Sequence, residues 1–201
     1  MKLEISVSFF LLLLFALFFT PLSLLLCVLS AAAVHEAGHL LLLSHFGVSV
    51  QCIRLCFSGA VIDAPKVARL SYGKELLVTL GGIGSNVLAA LFSAAVARYF
   101  AFSPLYVFSG ANALLAIYNL LPVPPLDGAR ALWLAAAYFL SPMSADTISA
   151  AVGLLVSAAL LALGLYLTLG MGAGFFFLLA ALFIFLGLWR QLALARGTGK
   201  V

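Results

Sequence analysis

Six apolar runs, each long enough or nearly long enough to cross a lipid bilayer, dominate this chain. They lie at about 5–20, 22–45, 75–97, 104–121, 147–169 and 172–189. The hydrocarbon core of a bilayer is about 30 Å thick, which a helix of about 20 apolar residues can cross. Because 66% of the residues are hydrophobic and 8% are charged, a soluble domain could not bury so much apolar side chain. The sequence therefore predicts an all-α polytopic membrane protein with about six transmembrane helices.

The basic residues predict which side of the membrane holds the termini. With six spans, all of the ten lysine and arginine residues except Arg98 fall on the side of the N-terminus. A further apolar stretch at 129–140 has about twelve residues, which suits an interfacial or re-entrant helix better than a span. Because basic residues favour the cytoplasmic side, we expect both termini in the cytoplasm. The basic residues are scattered singly, so the net charge of +4 does not indicate nucleic-acid binding.

Ionisable residues interrupt the second apolar run as His35-Glu36-Ala37-Gly38-His39. Two histidines four residues apart lie about one turn apart on one face of a helix, so both can bind one metal ion. Glu36 can then act as the base for a metal-bound water. Ionisable groups inside a membrane segment cost about 2.5–3.5 kcal/mol each on insertion scales and usually mark function. The motif predicts a metal site, and a packed polar cluster without metal is the alternative.

Asp127 is the acidic residue best placed to be a third metal ligand. Catalytic zinc usually takes three protein ligands and leaves a fourth position for water. Asp127 follows three prolines in NLLPVPPLDG, residues 119–128, and prolines disfavour a helix there. Unwound backbone at membrane depth is tolerated where it is buried in protein or lines a wet cavity. One Zn²⁺ held with the help of Asp127 is favoured over the alternative, in which Asp127 caps a helix at 128–140.

Two asparagines in the predicted spans, Asn86 and Asn119, have two interpretations. A buried amide needs hydrogen-bond partners, and the backbone or oxyanion of a bound substrate is one possible partner. The alternative for Asn86 is helix packing, because it follows the small residues of Gly81-Gly82-Ile83-Gly84. Both interpretations stay open at the level of the residues alone.

A membrane-associated β-hairpin is predicted between the second and third spans, at 48–63. Its alternating pattern and β-branched residues are typical of short strands, and Gly47 supplies a turn before them. The free edge of such a hairpin can hold an extended peptide by strand addition. A hairpin that only packs against the helices is an equally good interpretation.

HEAGH in one span, GGIGSN in the next and NLLPVPPLDG in the following one together resemble the site-2 protease family of intramembrane zinc metalloproteases. The resemblance covers about 22–130, and it is strongest to the bacterial branch typified by stage IV sporulation protein FB. It implies a proline-rich unwound segment at the active site of a single integral-membrane protease domain over 1–201, with no PDZ or CBS domain. The site residues that it implies are the zinc ligands His35, His39 and Asp127, the general base Glu36, and Asn86 and Asn119 for substrate or oxyanion binding.

The resemblance also implies an activity and its partners. The protein would be a zinc metalloendopeptidase of a bacterial cell membrane that cleaves transmembrane segments of membrane-tethered proteins. In the sporulation branch the substrate is a pro-sigma factor, and membrane proteins can regulate cleavage. A membrane metal transporter and an inactive protease-like scaffold are the rival functions. Transport needs several labile sites along a path, whereas all three histidines of this chain lie in one apolar run.

Overall fold

The computed structural model describes residues 2–56, 59–172 and 174–197, apart from the side chains at 176, 183 and 189–197. The chain divides into two compact units, Met1–Tyr118 and Asn119–Val201. The helices within the described residues are α1 Val7–Phe19, α2 Leu22–His45, α3 Tyr72–Phe100, α4 Ser103–Leu120, α5 Asp127–Phe139, α6 Pro142–Met171 and α7 Phe175–Gly197. The strands are β1 Lys2–Ile5, β2 Cys52–Cys56 and β3 Gly59–Asp63.

Each predicted apolar run folds as a helix, and the short stretch at 129–140 corresponds to α5. Three helices among the described residues, α2, α3 and α6, are long and apolar enough to cross a membrane. The chain is therefore a membrane protein. Helix α1 has 13 residues, and the number of six spans stays a prediction. The predicted cytoplasmic C-terminus includes Lys200, which lies outside the described residues.

In the unit Met1–Tyr118, α2 and α3 pack together where glycines bring their backbones close. A Cβ added at Gly38 would lie 2.8 Å from the carbonyl carbon of Gly81 and would also meet the Oγ of Ser85. That hydroxyl donates a hydrogen bond of 2.9 Å to the carbonyl oxygen of Val34 on α2. Small residues let membrane helices approach closely enough for such contacts. The glycine of HEAGH therefore lets α2 pack closely against α3.

Replacement of this glycine is expected to destabilise the fold. We expect Gly38→Ala to lower the free energy of unfolding of the metal-free protein by about 1–3 kcal/mol, the usual cost of overpacking. Gly110→Ala is the matched control, because a Cβ there would meet none of the described atoms within 4 Å. Helix propensity alone favours alanine over glycine by about 1 kcal/mol. Denaturant titration in detergent micelles measures both variants, and equal stability of the two would contradict the close contact.

The predicted hairpin is confirmed, and it belongs to a sheet of three strands. Strands β2 and β3 are antiparallel, with Ile53 opposite Ile62. Strand β1 pairs in parallel with the other edge of β2, with Leu3 opposite Ile53. The sequence did not predict β1, because four residues before a long apolar run are too few to show an alternating pattern. Residues 57–58, between β2 and β3, lie outside the described residues.

In the unit Asn119–Val201, the proline-rich stretch has no helix among its described residues between α4 and α5, as the three prolines predict. Helix α5 begins at Asp127, and Leu126 is its N-cap residue. Asp127 is thus the first residue of the helix and not the cap of a helix at 128–140. A Cβ added at Gly128 would lie 2.6 Å from the carbonyl oxygen of Leu121. This close approach holds the start of α5 against the backbone that precedes the prolines.

Candidate metal centre

The two histidines of HEAGH lie together on the buried face of α2. The side chain of His35 is 6% exposed and that of His39 is 9% exposed. Their rings meet edge to face with centroids 4.8 Å apart, as the four-residue spacing predicts. The two Nε2 atoms are 3.2 Å apart. Glu36 follows the first histidine on the same helix and is partly buried.

Helix α3 holds both rings through their Nδ1 atoms. The Nδ1 of His35 lies 2.7 Å from the Oδ1 of Asn86. The Nδ1 of His39 lies 2.8 Å from the backbone carbonyl oxygen of Val78. Because a carbonyl oxygen can accept but not donate a hydrogen bond, the proton of the neutral His39 ring lies on Nδ1. Its Nε2 then carries a lone pair.

The Asn86 amide dictates the same proton position for His35. Its Nδ2 donates to the carbonyl oxygen of Ala31 at 2.9 Å and to the Oδ1 of Asn112 at 2.7 Å. Both of these partners are acceptors, so the amide nitrogen faces them and the amide oxygen faces His35. That oxygen accepts a hydrogen bond from the Nδ1–H of the neutral ring. Both histidines therefore present the lone pair of Nε2 to each other.

This donor arrangement fits a zinc ion. Two facing lone pairs repel unless a cation lies between them. Zinc binds histidine nitrogen at about 2.0–2.1 Å in tetrahedral geometry, which places two such nitrogens about 3.3 Å apart. The observed 3.2 Å agrees with that spacing. Gly82 leaves the space free, because a Cβ there would lie 2.8 Å from the Nε2 of His35 and would also meet the Nε2 of His39.

The remaining predicted site residues lie on other elements. Asn86 lies on α3 and contacts His35, and its side chain is 0% exposed. Asn119 lies in the last turn of α4 and is partly buried. Asp127 is the first residue of α5 and is also partly buried. Both Asn119 and Asp127 belong to the second compact unit.

Sequence reasoning missed Asn112. Its side chain is 0% exposed within α4, and its Nδ2 donates to the carbonyl oxygen of Phe108 at 2.9 Å. A signal was present, because Asn112 is one of two amides inside the apolar run 104–121, the other being Asn119. It also precedes Asn119 by about two helical turns, which puts both amides on one face of the helix.

Comparison with known proteins gives the fold. No family model and no curated protein matches this chain at the level of sequence. Among solved structures, the chain is similar to the site-2 protease from Methanocaldococcus jannaschii, with a TM-score of 0.69. The two are 23% identical, and the match covers 94% of this chain and 89% of that chain. The chain has the fold of a site-2 protease. This confirms the fold that the three motifs implied, and membership of the sporulation branch stays a prediction.

Proposed function

We propose that this protein is an intramembrane zinc metalloprotease of the site-2 protease family. One observation carries the proposal: the Nε2 atoms of His35 and His39 lie 3.2 Å apart on a membrane helix, while groups on α3 occupy both Nδ1 atoms. With both rings neutral, a cluster that only packs gains nothing from this placement of the two Nε2 lone pairs, whereas a metal ion binds both. The site-2 protease fold of the chain and the carboxylate of Glu36 beside the histidines give the metal site a hydrolytic role.

Asp127 is the proposed third ligand. It would add a carboxylate, as a third donor, to the two imidazoles of His35 and His39. Two histidines and one carboxylate form a known ligand set of catalytic zinc, with the fourth position left for water. The close approach of Gly128 to the backbone of Leu121 supports this role, because it restrains the residue next to the carboxylate.

The other site residues have separate proposed roles. When bound, zinc supplies a Lewis acid and an activated water for peptide hydrolysis. Glu36 accepts a proton from that water and donates it to the leaving amine. Asn119 donates a hydrogen bond to the substrate backbone or to the developing oxyanion. Asn86 was predicted in the same role, but its amide is bonded to protein groups, so we propose that it orients His35.

The proposed substrates are transmembrane segments of membrane-tethered proteins. A substrate helix must unwind before cleavage, because its carbonyl groups are bonded within the helix. The free edge of β3 can hold the unwound segment as an added strand. We propose six spans, α1 to α4, α6 and α7, with both termini in the cytoplasm of a bacterial cell. Regulatory membrane proteins and a pro-sigma factor substrate, which the sporulation branch implies, belong to the same proposal.

The test is cleavage of single-span membrane proteins by the purified protein in liposomes. We expect cleavage to stop when a zinc chelator strips the metal and to return with about one equivalent of zinc. His39→Ala should lose both zinc and cleavage. His45→Ala is the matched control, because this third histidine is exposed at the end of α2 and should leave both unchanged. Cleavage by metal-free protein would contradict the proposal, and zinc flux without cleavage would indicate a transporter.

A further inference from the structure

We propose that Asn112 is a positioning residue for the metal site. Acting through Asn86, it keeps His35 in the ring tautomer whose Nε2 is unprotonated, as metal binding requires. The inference rests on the proposed metal site, and it concerns a residue outside the three motifs. Asn112 lies on α4 and bonds to Asn86, which in turn bonds to His35, so its effect on the histidine passes through the second amide.

The three side chains form one continuous line of hydrogen bonds. Asn112 Oδ1 accepts from Asn86 Nδ2 at 2.7 Å, and Asn86 Oδ1 faces His35 Nδ1 at 2.7 Å. Both amides are 0% exposed, so bulk water cannot replace a missing partner. Buried polar groups without partners are costly. Each amide therefore depends on its protein neighbours for its orientation.

The orientation of Asn86 decides which nitrogen of His35 carries the proton. The two ends of an amide have nearly the same shape, so hydrogen-bond partners determine which end faces which neighbour. If Asn86 were reversed, its oxygen would face the oxygens of Ala31 and Asn112, and its NH₂ group would face His35. The Nδ1 of His35 would then have to accept, and the proton of the neutral ring would move to Nε2. A protonated Nε2 cannot bind a metal ion.

Asn112 is itself oriented by the backbone of α4. Its Nδ2 donates to the carbonyl oxygen of Phe108, one turn earlier, at 2.9 Å. A reversed Asn112 would place its oxygen against that carbonyl oxygen, so the side-chain oxygen must face Asn86. Without Asn112, Asn86 would keep Ala31 as the acceptor for one amide hydrogen, and the other hydrogen would lose its partner. The preference of Asn86 for the orientation that suits metal binding would weaken.

The test compares zinc affinities of purified variants by competition with a chelator. We expect Asn112→Leu to weaken zinc binding about 10–100-fold, which is the usual effect of losing a hydrogen-bonding residue that orients a metal ligand. Asn112→Asp should restore binding to within about threefold of wild type, because a buried, protonated carboxyl keeps an oxygen that accepts from Asn86 and a hydroxyl that donates to the carbonyl of Phe108. Ser109→Ala is the matched control, since it also removes a bond from α4 to α3, from Ser109 Oγ to the carbonyl oxygen of Ala90 at 2.8 Å.

A second measurement does not depend on the folding of any variant. Nitrogen-15 NMR of histidine in the metal-free wild-type protein, at a pH at which the ring is neutral, distinguishes a protonated ring nitrogen from one with a lone pair. We expect His35 to be protonated on Nδ1, and its signals to become mixed in Asn112→Leu. Protonation on Nε2 in the wild type would overturn the inference, as would full zinc affinity in Asn112→Leu or an equal loss in Ser109→Ala.

These results separate the inference from the proposed protease activity. The tautomer is measured without metal and without substrate, and the zinc affinity is measured without substrate. If the zinc and tautomer results hold while no substrate is cleaved, the inference stands and the protease assignment fails. If cleavage depends on zinc but Asn112→Leu binds zinc as wild type does, the inference fails alone.

Discussion

Glu36→Gln is expected to abolish peptide cleavage while the protein keeps its zinc. Loss of a general base typically lowers the rate about 10²–10⁴-fold. Glutamine has the same shape as glutamate but cannot accept the proton of a bound water at neutral pH. Glu36 is not one of the three proposed ligands, so the metal should stay. Single-turnover cleavage in liposomes gives the rate, and metal analysis of the same samples gives the zinc content.

The matched variant for this prediction is Glu36→Asp, which keeps the carboxylate but shortens the side chain by one methylene. We expect it to cleave faster than Glu36→Gln and more slowly than wild type, because proton transfer depends on reach. Loss of zinc in Glu36→Gln would show that Glu36 has a structural role. Cleavage by Glu36→Gln near the wild-type rate would mean that another group is the base.

Gly82→Ala is expected to lose zinc binding and cleavage together. The added Cβ would lie 2.8 Å from the Nε2 of His35 and would also meet the Nε2 of His39. Both are ligand atoms, so the methyl group would occupy the space beside the metal position. We expect zinc affinity to fall about 100-fold or more. This is at or beyond the upper end of the effects seen when a residue that hydrogen-bonds to a metal ligand is replaced.

Gly84→Ala is a close control for Gly82→Ala. It adds the same methyl group two residues further along α3, where a Cβ would meet none of the described atoms within 4 Å. Zinc affinity and cleavage should both match wild type. Competition with a chelator measures the affinity of each variant. If Gly82→Ala bound zinc as tightly as Gly84→Ala does, the two histidines would not form the metal site in this geometry.

The sequence was sufficient to predict the main elements of the fold. A bilayer requires long apolar helices, so the length of each run predicted a helix, and the prolines before Asp127 predicted the unwound stretch. The spacing of His35 and His39 predicted that their rings would meet, because four residues make about one helical turn. These features depend on the length of an apolar run, on the presence of prolines or on the spacing of residues along a helix, and all three can be read from one sequence.

The partners of the site residues were not predictable in this way. Whether Asn86 faces a substrate or His35 depends on the rotation and depth of α3 relative to α2, and a run of small residues allows several such arrangements. Asn112 was overlooked because its partner lies on a different helix. The pairing of β1 with β2 was also missed. The two strands lie about 50 residues apart in the chain, and strand pairing over such a distance has no local signature in the sequence.

Helix α1 shows why chains with this fold can diverge widely in sequence. None of its residues, all of which are described, is buried in the protein. As one of the six proposed spans, α1 would place these side chains against lipid, which is as apolar as they are, so Leu, Phe, Ile and Val would be interchangeable there. Stringent selection is then confined to small sets of positions, such as the glycines between α2 and α3 and the polar groups around the histidines. An evolutionary record of this protein would be concentrated at those few positions.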